Sequence, residues 1–203
     1  MPRTKKPAIR LVHFLLDETG SMGGKTDEVV EGFNGFLDEF DSGENTVRFA
    51  LTKFDSNHQT LVHDYVPIQD VPRMHRRDFH PGAMTPLYDA TAECIAHTQK
   101  MVKEYGADSA MIISMTDGFE NASKEYDKET LAELIKEQEG IGWEFIYLGI
   151  SKAAWSPQNL ILYKGTRAEK EGRIVLDSGE GSGQRTMSAA TASASLYASR
   201  PRD

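Results

Sequence analysis

The side chains best suited to chemistry in this sequence are oxygen donors spaced two apart: Asp17, Thr19 and Ser21, in the run Asp17-Glu18-Thr19-Gly20-Ser21-Met22. An extended loop sends alternate side chains to the same side, so three oxygens can face a common point. Two further segments carry the same kind of donor, Met84-Thr85-Pro86-Leu87-Tyr88-Asp89 and Thr116-Asp117-Gly118. Hydroxyls and carboxylates without nitrogen or sulfur suit a hard cation. Mg2+ in particular prefers near-octahedral oxygen coordination, keeps waters and takes one or two carboxylates, with Mn2+ or Ca2+ as alternatives. Two aspartates and three hydroxyls, Asp17, Thr19, Ser21, Thr85 and Asp117, match that description, and a position left to water could accept a carboxylate from outside. Taken singly, each motif also has a plainer reading: a turn and N-cap cluster around Asp17, Thr19 and Ser21, and a common turn at Asp117-Gly118. Only their joint placement favours a cation.

That placement depends on the elements around them. Residues 9–16 form a nearly continuous apolar run, the pattern of a strand buried on both faces. Val29, Phe33, Phe36, Leu37 and Phe40 then share one helical stripe, with Asp27 and Glu28 in the first turn and Ser42-Gly43 at its close. Residues 47–54 and 59–66, separated by Asp55-Ser56-Asn57, read as a hairpin and therefore supply one antiparallel strand. Residues 67–84 carry three prolines and no period, and read as loop. Leu87, Thr91, Cys94, Thr98, Met101 and Tyr105 follow helical spacing after Pro86, which a first turn tolerates. Residues 110–115 read as a strand, Leu131 to Gln138 as a helix ending before Gly140, and residues 143–150 as a further strand. Beyond these, residues 173–176 suggest a last strand and residues 186–198 an Ala/Ser-rich final helix. Alternation of this kind predicts an α/β, three-layer, doubly wound (Rossmann-like) and mostly parallel sheet with one antiparallel edge strand. Ligands of such sheets bind outside the carboxyl ends of the strands, which is where all three donor segments fall.

At these residues the sequence resembles the von Willebrand factor A (vWA) domain family, whose metal-ion-dependent adhesion site is written D-x-S-x-S, then a Thr, then an Asp, on separate loops. The resemblance spans roughly residues 9–150, with the segments in the family's order. It implies that Asp17, Thr19, Ser21, Thr85 and Asp117 are the metal-site residues. The two loop hydroxyls would bind directly, the Thr directly or through water, and the aspartates often through water. Thr19 stands where the family usually has Ser, which keeps the hydroxyl and adds a methyl. The stretch Gly118-Phe119-Glu120-Asn121-Ala122-Ser123 resembles bacterial and phage members and implies an origin of that kind.

Composition narrows the function. The chain has 203 residues, 23 basic against 31 acidic, and a net charge of −8, so a nucleic-acid surface is not the expected partner. No stretch approaches a membrane span, and residues 1–10 do not build a secretory signal, so a cytoplasmic protein is expected. The single cysteine, Cys94, excludes an internal disulfide and any Cys-based zinc cluster. Residues 1–8 read as a basic arm, and residues 9–203 as one vWA-like domain. Gly179-Glu180-Gly181-Ser182-Gly183 imitates a phosphate loop but lacks the following Gly-Lys-Ser/Thr, and reads as a turn. The run His75-Arg76-Arg77-Asp78-Phe79-His80 reads as a solvated loop beside Thr85, and Trp143 and Trp155 as packing residues.

The expected function is a metal-dependent protein-binding module, not an enzyme: the cation bridges the loop oxygens to an Asp or Glu of a partner protein. A Mg2+-dependent phosphoryl-transfer or hydrolytic enzyme is the first alternative. It lacks a Walker A loop and any His or Lys in the metal motifs, leaving Glu18, Asp89 and Glu120 as candidate bases. A structural assembly subunit is the second alternative.

Overall fold

In the computed structural model, which describes residues 6–117, 120–150, 174–176 and 182–200, the first strand is buried from Arg10 to Asp17. This strand, β1 (Ile9–Asp17), lies in the middle of the sheet because its apolar side chains need cover on both faces. After a short 3-10 turn (Gly20–Lys25) come α1 (Thr26–Glu39), β2 (Thr46–Phe54), β3 (Gln59–Pro67), α2 (Leu87–Tyr105), β4 (Ser109–Thr116), α3 (Lys128–Gly140), β5 (Glu144–Gly149), β6 (Ile174–Leu176) and α4 (Ser182–Ser199). The six strands among the described residues are ordered β3-β2-β1-β4-β5-β6. All neighbours are parallel except β2 and β3, so the hairpin supplies the antiparallel edge.

Side-chain alternation along β1 sorts the core into two layers. Val12, Phe14 and Leu16 face α1 and α4, joining Phe33, Phe36, Phe49 and Tyr197. Leu11 and Leu15 face α2 and α3, joining Leu87, Ile95, Leu131, Ile135 and Trp143. The predicted helical stripes are therefore the buried ones, Phe33 and Phe36 on α1, and Leu87, Thr91, Cys94, Thr98 and Met101 on α2. Gly106, at φ +59, is the left-handed cap that ends α2, whereas α1 ends at Glu39 with an extended Phe40, so Ser42-Gly43 does not close it and Gly43, at φ +57, sits in a separate turn closed by Asn45 N–H to Ser42 O; a side chain at either glycine would be strained.

Three sequence expectations need adjustment. The final helix begins at Ser182, so Ser182 and Gly183 belong to α4 and not to a turn; residues 179–181 lie outside the described residues, as does Trp155. Helix α3 includes Gly140, its chain turning instead at Ile141 and Gly142 (φ +95). The loop around residues 75–80 is not simply solvated: Met74 and Phe79 are buried, Arg73 pairs with Asp38, and Arg76 pairs with Asp27 on α1.

The segments around Ala8 and Arg200 meet at the edge where the parallel strands start. Ala8 is fully buried and its N–H donates to Asn45 Oδ1 at 2.9 Å. The Asn45 amide donates to the carbonyls of Ala198 (2.7 Å) and Arg200 (2.8 Å), and Arg200 pairs with the buried carboxylate of Glu144. The Arg10 guanidinium lies over the Tyr197 ring, 5.4 Å from its centroid.

Candidate metal centre

Strand register brings the donors together. Strands β1 and β4 pair in parallel with Leu16 opposite Met115, so Asp17 and Thr116 emerge side by side at the carboxyl edge. The Thr116 hydroxyl donates to Asp17 Oδ2 at 2.5 Å, and the Thr19 N–H donates to Asp17 Oδ1 at 2.8 Å, which turns the chain sharply out of the strand. Met22, fully buried, then anchors the 3-10 turn in the core beneath α1. The β1/β4 boundary is also where the strand order reverses direction, the usual place for a ligand in an open α/β sheet.

Beyond this turn, Ser21 Oγ donates to Asp117 Oδ1 at 2.6 Å, and Thr19 Oγ1 lies 3.4 Å from Ser21 Oγ. Asp17, Thr19, Ser21 and Asp117 are thus joined by hydrogen bonds although they come from two loops. Thr85 reaches the same edge through its backbone. The Gly20 N–H donates to Ala83 O at 3.1 Å, the Gly82 N–H to Glu18 O at 2.9 Å, and the Thr85 N–H to Asn121 Oδ1 at 2.8 Å. Among the described residues no hydrogen bond links the Thr85 hydroxyl to the other four. A Cβ at Gly20 would just touch Ala83 O, at 3.4 Å. Ala83 itself sits at φ +55, a left-handed conformation that costs a non-glycine residue roughly 1–2 kcal/mol.

Asp17, Thr19, Thr85 and Asp117 are buried, whereas Ser21 is exposed, so the cluster is a polar well with Ser21 at its mouth. Burial pushes the Asp17 carboxyl up to about 6, a rise opposed by the Thr116 and Thr19 hydrogen bonds and reinforced by the nearby Asp117 charge. A buried carboxylate held against its own desolvation is stabilised by a cation among the surrounding oxygens, so the donor set fits a hard divalent ion. Among the described residues no group of three or more His, Cys, Asp and Glu could hold a metal. Any ion here depends on hydroxyls as well as on the two aspartates.

A residue absent from the sequence reading enters this well. The Lys25 ammonium forms an ion pair with Asp117 Oδ2 and donates to the Ser21 carbonyl at 3.3 Å. The motif segments themselves hold no Lys, and Lys25 reaches the cluster from the end of the turn that follows the first of them. The only sequence signal is its position four residues after Ser21 in a helical turn, where side chain and carbonyl come within reach.

The carboxylates considered as bases are occupied by loop construction. Glu18 Oε1 accepts the His80 N–H at 2.6 Å and the Lys53 ammonium at 3.3 Å. Glu120 accepts N–H groups from Tyr88 at 3.0 Å, Ala122 at 2.9 Å and Ser123 at 2.7 Å. Asp89 accepts those of Lys124 (2.7 Å), Glu125 (3.1 Å) and Tyr126 (2.8 Å). Glu120 and Asp89 form a reciprocal clamp: the first satisfies a free amide at the start of α2, and the second holds the 120–126 segment that carries Glu120. This clamp, together with Asn121, fixes the loop bearing Thr85.

No protein-family model matches the sequence, and no curated protein is similar to it in sequence. Solved structures do share its fold. The PilB minor pilin from Streptococcus sanguinis is 14% identical with a TM-score of 0.64, covering 98% of this chain, which spans 64% of that one. A von Willebrand factor type A structure from Catenulispora acidiphila is 16% identical with a TM-score of 0.63, over 93% of this chain and 43% of that one. A manganese-loaded TRAP protein from Plasmodium vivax is 16% identical with a TM-score of 0.52, over 77% and 63%. The fold is vWA-like. Among the described residues no helix is long and apolar enough to cross a membrane.

Proposed function

We propose that this protein is a metal-dependent protein-binding module, in which Asp17, Thr19, Ser21, Thr85 and Asp117 hold a divalent cation, Mg2+ in the first instance. The bound cation would supply a Lewis-acid contact to an Asp or Glu carboxylate presented by a partner protein. The observation that carries this reading is the hydrogen-bonded cluster of Asp17, Thr19, Ser21 and Asp117 at the strand-order reversal, buried except at Ser21. The chain's own residues shape the contact. Asp17 and Thr116 fix the floor, Ser21 marks the mouth, and the clamp of Glu120, Asp89 and Asn121 sets the height of the Thr85 loop. Recognition is favoured over turnover because Glu18, Asp89 and Glu120 are already committed to backbone amides. The likeness to a manganese-loaded protein of the same fold supports the choice of ligand class.

Two measurements test the reading. Titration with Mn2+, followed by the loss of the free-ion paramagnetic resonance signal, should give one site in the wild type and none in Asp17→Ala or Asp117→Ala. Proteins retained by the immobilised wild type in Mg2+ should be released by EDTA and not retained by either variant. Retention indifferent to EDTA and to both substitutions would overturn the proposal.

A further inference from the structure

The ammonium of Lys25 stands where positive charge is wanted in the well. Asp117 spends one carboxylate oxygen on the Ser21 hydroxyl and the other on Lys25, and Lys25 also reaches the carbonyl of Ser21. Side-chain exposure is 24% for Lys25 and 2% for Asp117, so the ammonium comes in from the rim and lands on a carboxylate that water hardly touches. Lys25 ends the 3-10 turn and leads directly into α1, so its long side chain reaches back from the rim over the turn to Asp117.

We infer that Lys25 is a tethered cation that competes with the divalent ion for Asp117 and sets the concentration at which this site loads. The inference rests on the reading of this edge as a cation site and adds its regulation. The electrostatics follow from the groups present. With both aspartates ionised, Asp17, Asp117 and Lys25 sum to one negative charge, and the ammonium supplies part of the stabilisation that an incoming dication would otherwise provide. An ion entering the well must either displace Lys25, losing the ion pair with a nearly dry carboxylate, or share the well with a like charge a few ångströms away. Both routes weaken binding. Removing the charge while keeping the stem removes both penalties, so Lys25→Met should bind divalent ion roughly 10- to 100-fold more tightly than the wild type. The same substitution removes the partner of Asp117 in ion-free protein, so Lys25→Met should melt earlier than the wild type in EDTA. Its melting temperature should then rise by more than that of the wild type when Mn2+ is added.

The experiment titrates Mn2+ into wild type, Lys25→Met, Lys25→Gln and Asp17→Ala, reading free Mn2+ by paramagnetic resonance and melting temperature with and without the ion. Tighter binding in both Lys25 variants with none in Asp17→Ala is the expected result. Binding in Lys25→Met and Lys25→Gln equal to or weaker than wild type, while Asp17→Ala remains silent, overturns the role of Lys25 and leaves the cation site standing. Equal binding in wild type and Asp17→Ala overturns the site itself. Because Lys25 is a rim residue and two replacements are used, a fault in folding would show as a lost melting transition in one variant and not in the other.

Discussion

Two buried polar clusters lie on the same face of β1, four residues apart, and they are built on opposite terms. At His13, 1% exposed, every hydrogen-bonding group is spent on another group of the protein. Tyr65 Oη donates to Thr98 Oγ1 (2.7 Å), which donates to the Cys94 carbonyl (2.7 Å), so the hydrogens of both hydroxyls are used. His13 Nδ1 must then be the donor toward Tyr65 (3.1 Å) and Thr98 (3.2 Å), while Nε2 accepts from Thr52 (2.8 Å). Burial pushes this imidazole down to about 3, with the neighbouring His97 adding to the effect, and the ring stays neutral. At Asp17, fully buried, the carboxylate accepts from Thr116 and Thr19, the neighbouring Asp117 accepts from Ser21 and pairs with Lys25, and the cluster reaches solvent at Ser21. A closed network of neutral groups stabilises and specifies a core. Two buried carboxylates with a single ammonium between them keep a net negative charge, which costs stability. The difference sets a closed network and an open one on the same face of a single strand.

The largest expected effect breaks the comparison cleanly if it fails. His13→Ala leaves Thr52, Tyr65 and Thr98 short of a partner and opens a cavity, so it should cost roughly 3 kcal/mol of folding stability while Mn2+ affinity stays unchanged. Asp17→Asn should do the reverse, abolishing Mn2+ binding without lowering the stability of the ion-free protein. Urea unfolding in EDTA and Mn2+ titration of both variants measure the two effects, and a variant that loses both properties would join the clusters into one.

Acid sharpens the contrast. The folded pKa of His13 lies below its unfolded value of about 6.5, so its contribution is full above that value and is lost as pH falls toward 3, roughly 2 kcal/mol of it between pH 7 and pH 5. Asp17 has the opposite sign. Its folded pKa, about 6, lies above the unfolded value of 3.8, so stability is gained as pH falls through 6. In EDTA, Asp17→Asn should therefore steepen the loss of stability between pH 7 and pH 5 by about 1 kcal/mol, and a His13→Gln variant should flatten it. Equal slopes in wild type and Asp17→Asn would show that Asp17 is not held against its desolvation.

The smallest effect concerns the loop beside the open cluster. Ala83→Gly relieves a left-handed alanine, at φ +55, but frees the unfolded chain, so a gain of no more than about 1 kcal/mol is expected in thermal unfolding. A loss would mean that the alanine side chain itself supports the Thr85 loop.

The local parts of this architecture were readable without coordinates. Continuous apolar runs at residues 9–16 and 110–115 announce doubly covered strands, and helical spacing on α1 and α2 picks out the buried faces, because both patterns live within a few turns of chain. Asp17, Thr19 and Ser21 share one loop, and Asp117 follows a strand whose neighbour is β1, so their candidacy follows from spacing and topology. What stayed hidden depends on distant partners. The Lys25 contact with Asp117 spans 92 residues of sequence, and that of Thr116 with Asp17 spans 99. The use of Glu120 and Asp89 as a clamp is decided by which amides at the start of α2 and in the 120–126 segment need a partner. Tyr65, at φ +49 beside a register shift between β2 and β3, turns inward to meet His13, which alternation alone places outside. Lys53 likewise reads as one more position on an alternating strand until Glu18 is seen against it.

The staple that ties Asn45 and Glu144 to the residues around Arg200 has a geometric consequence. Ala8 and Arg200 leave the fold on one side of the sheet, and the Asp17 well opens on the other. Joined through this edge to a larger body, a bead or a filament, the domain would present the loops at the carboxyl ends of its strands outward and keep the attachment clear of them.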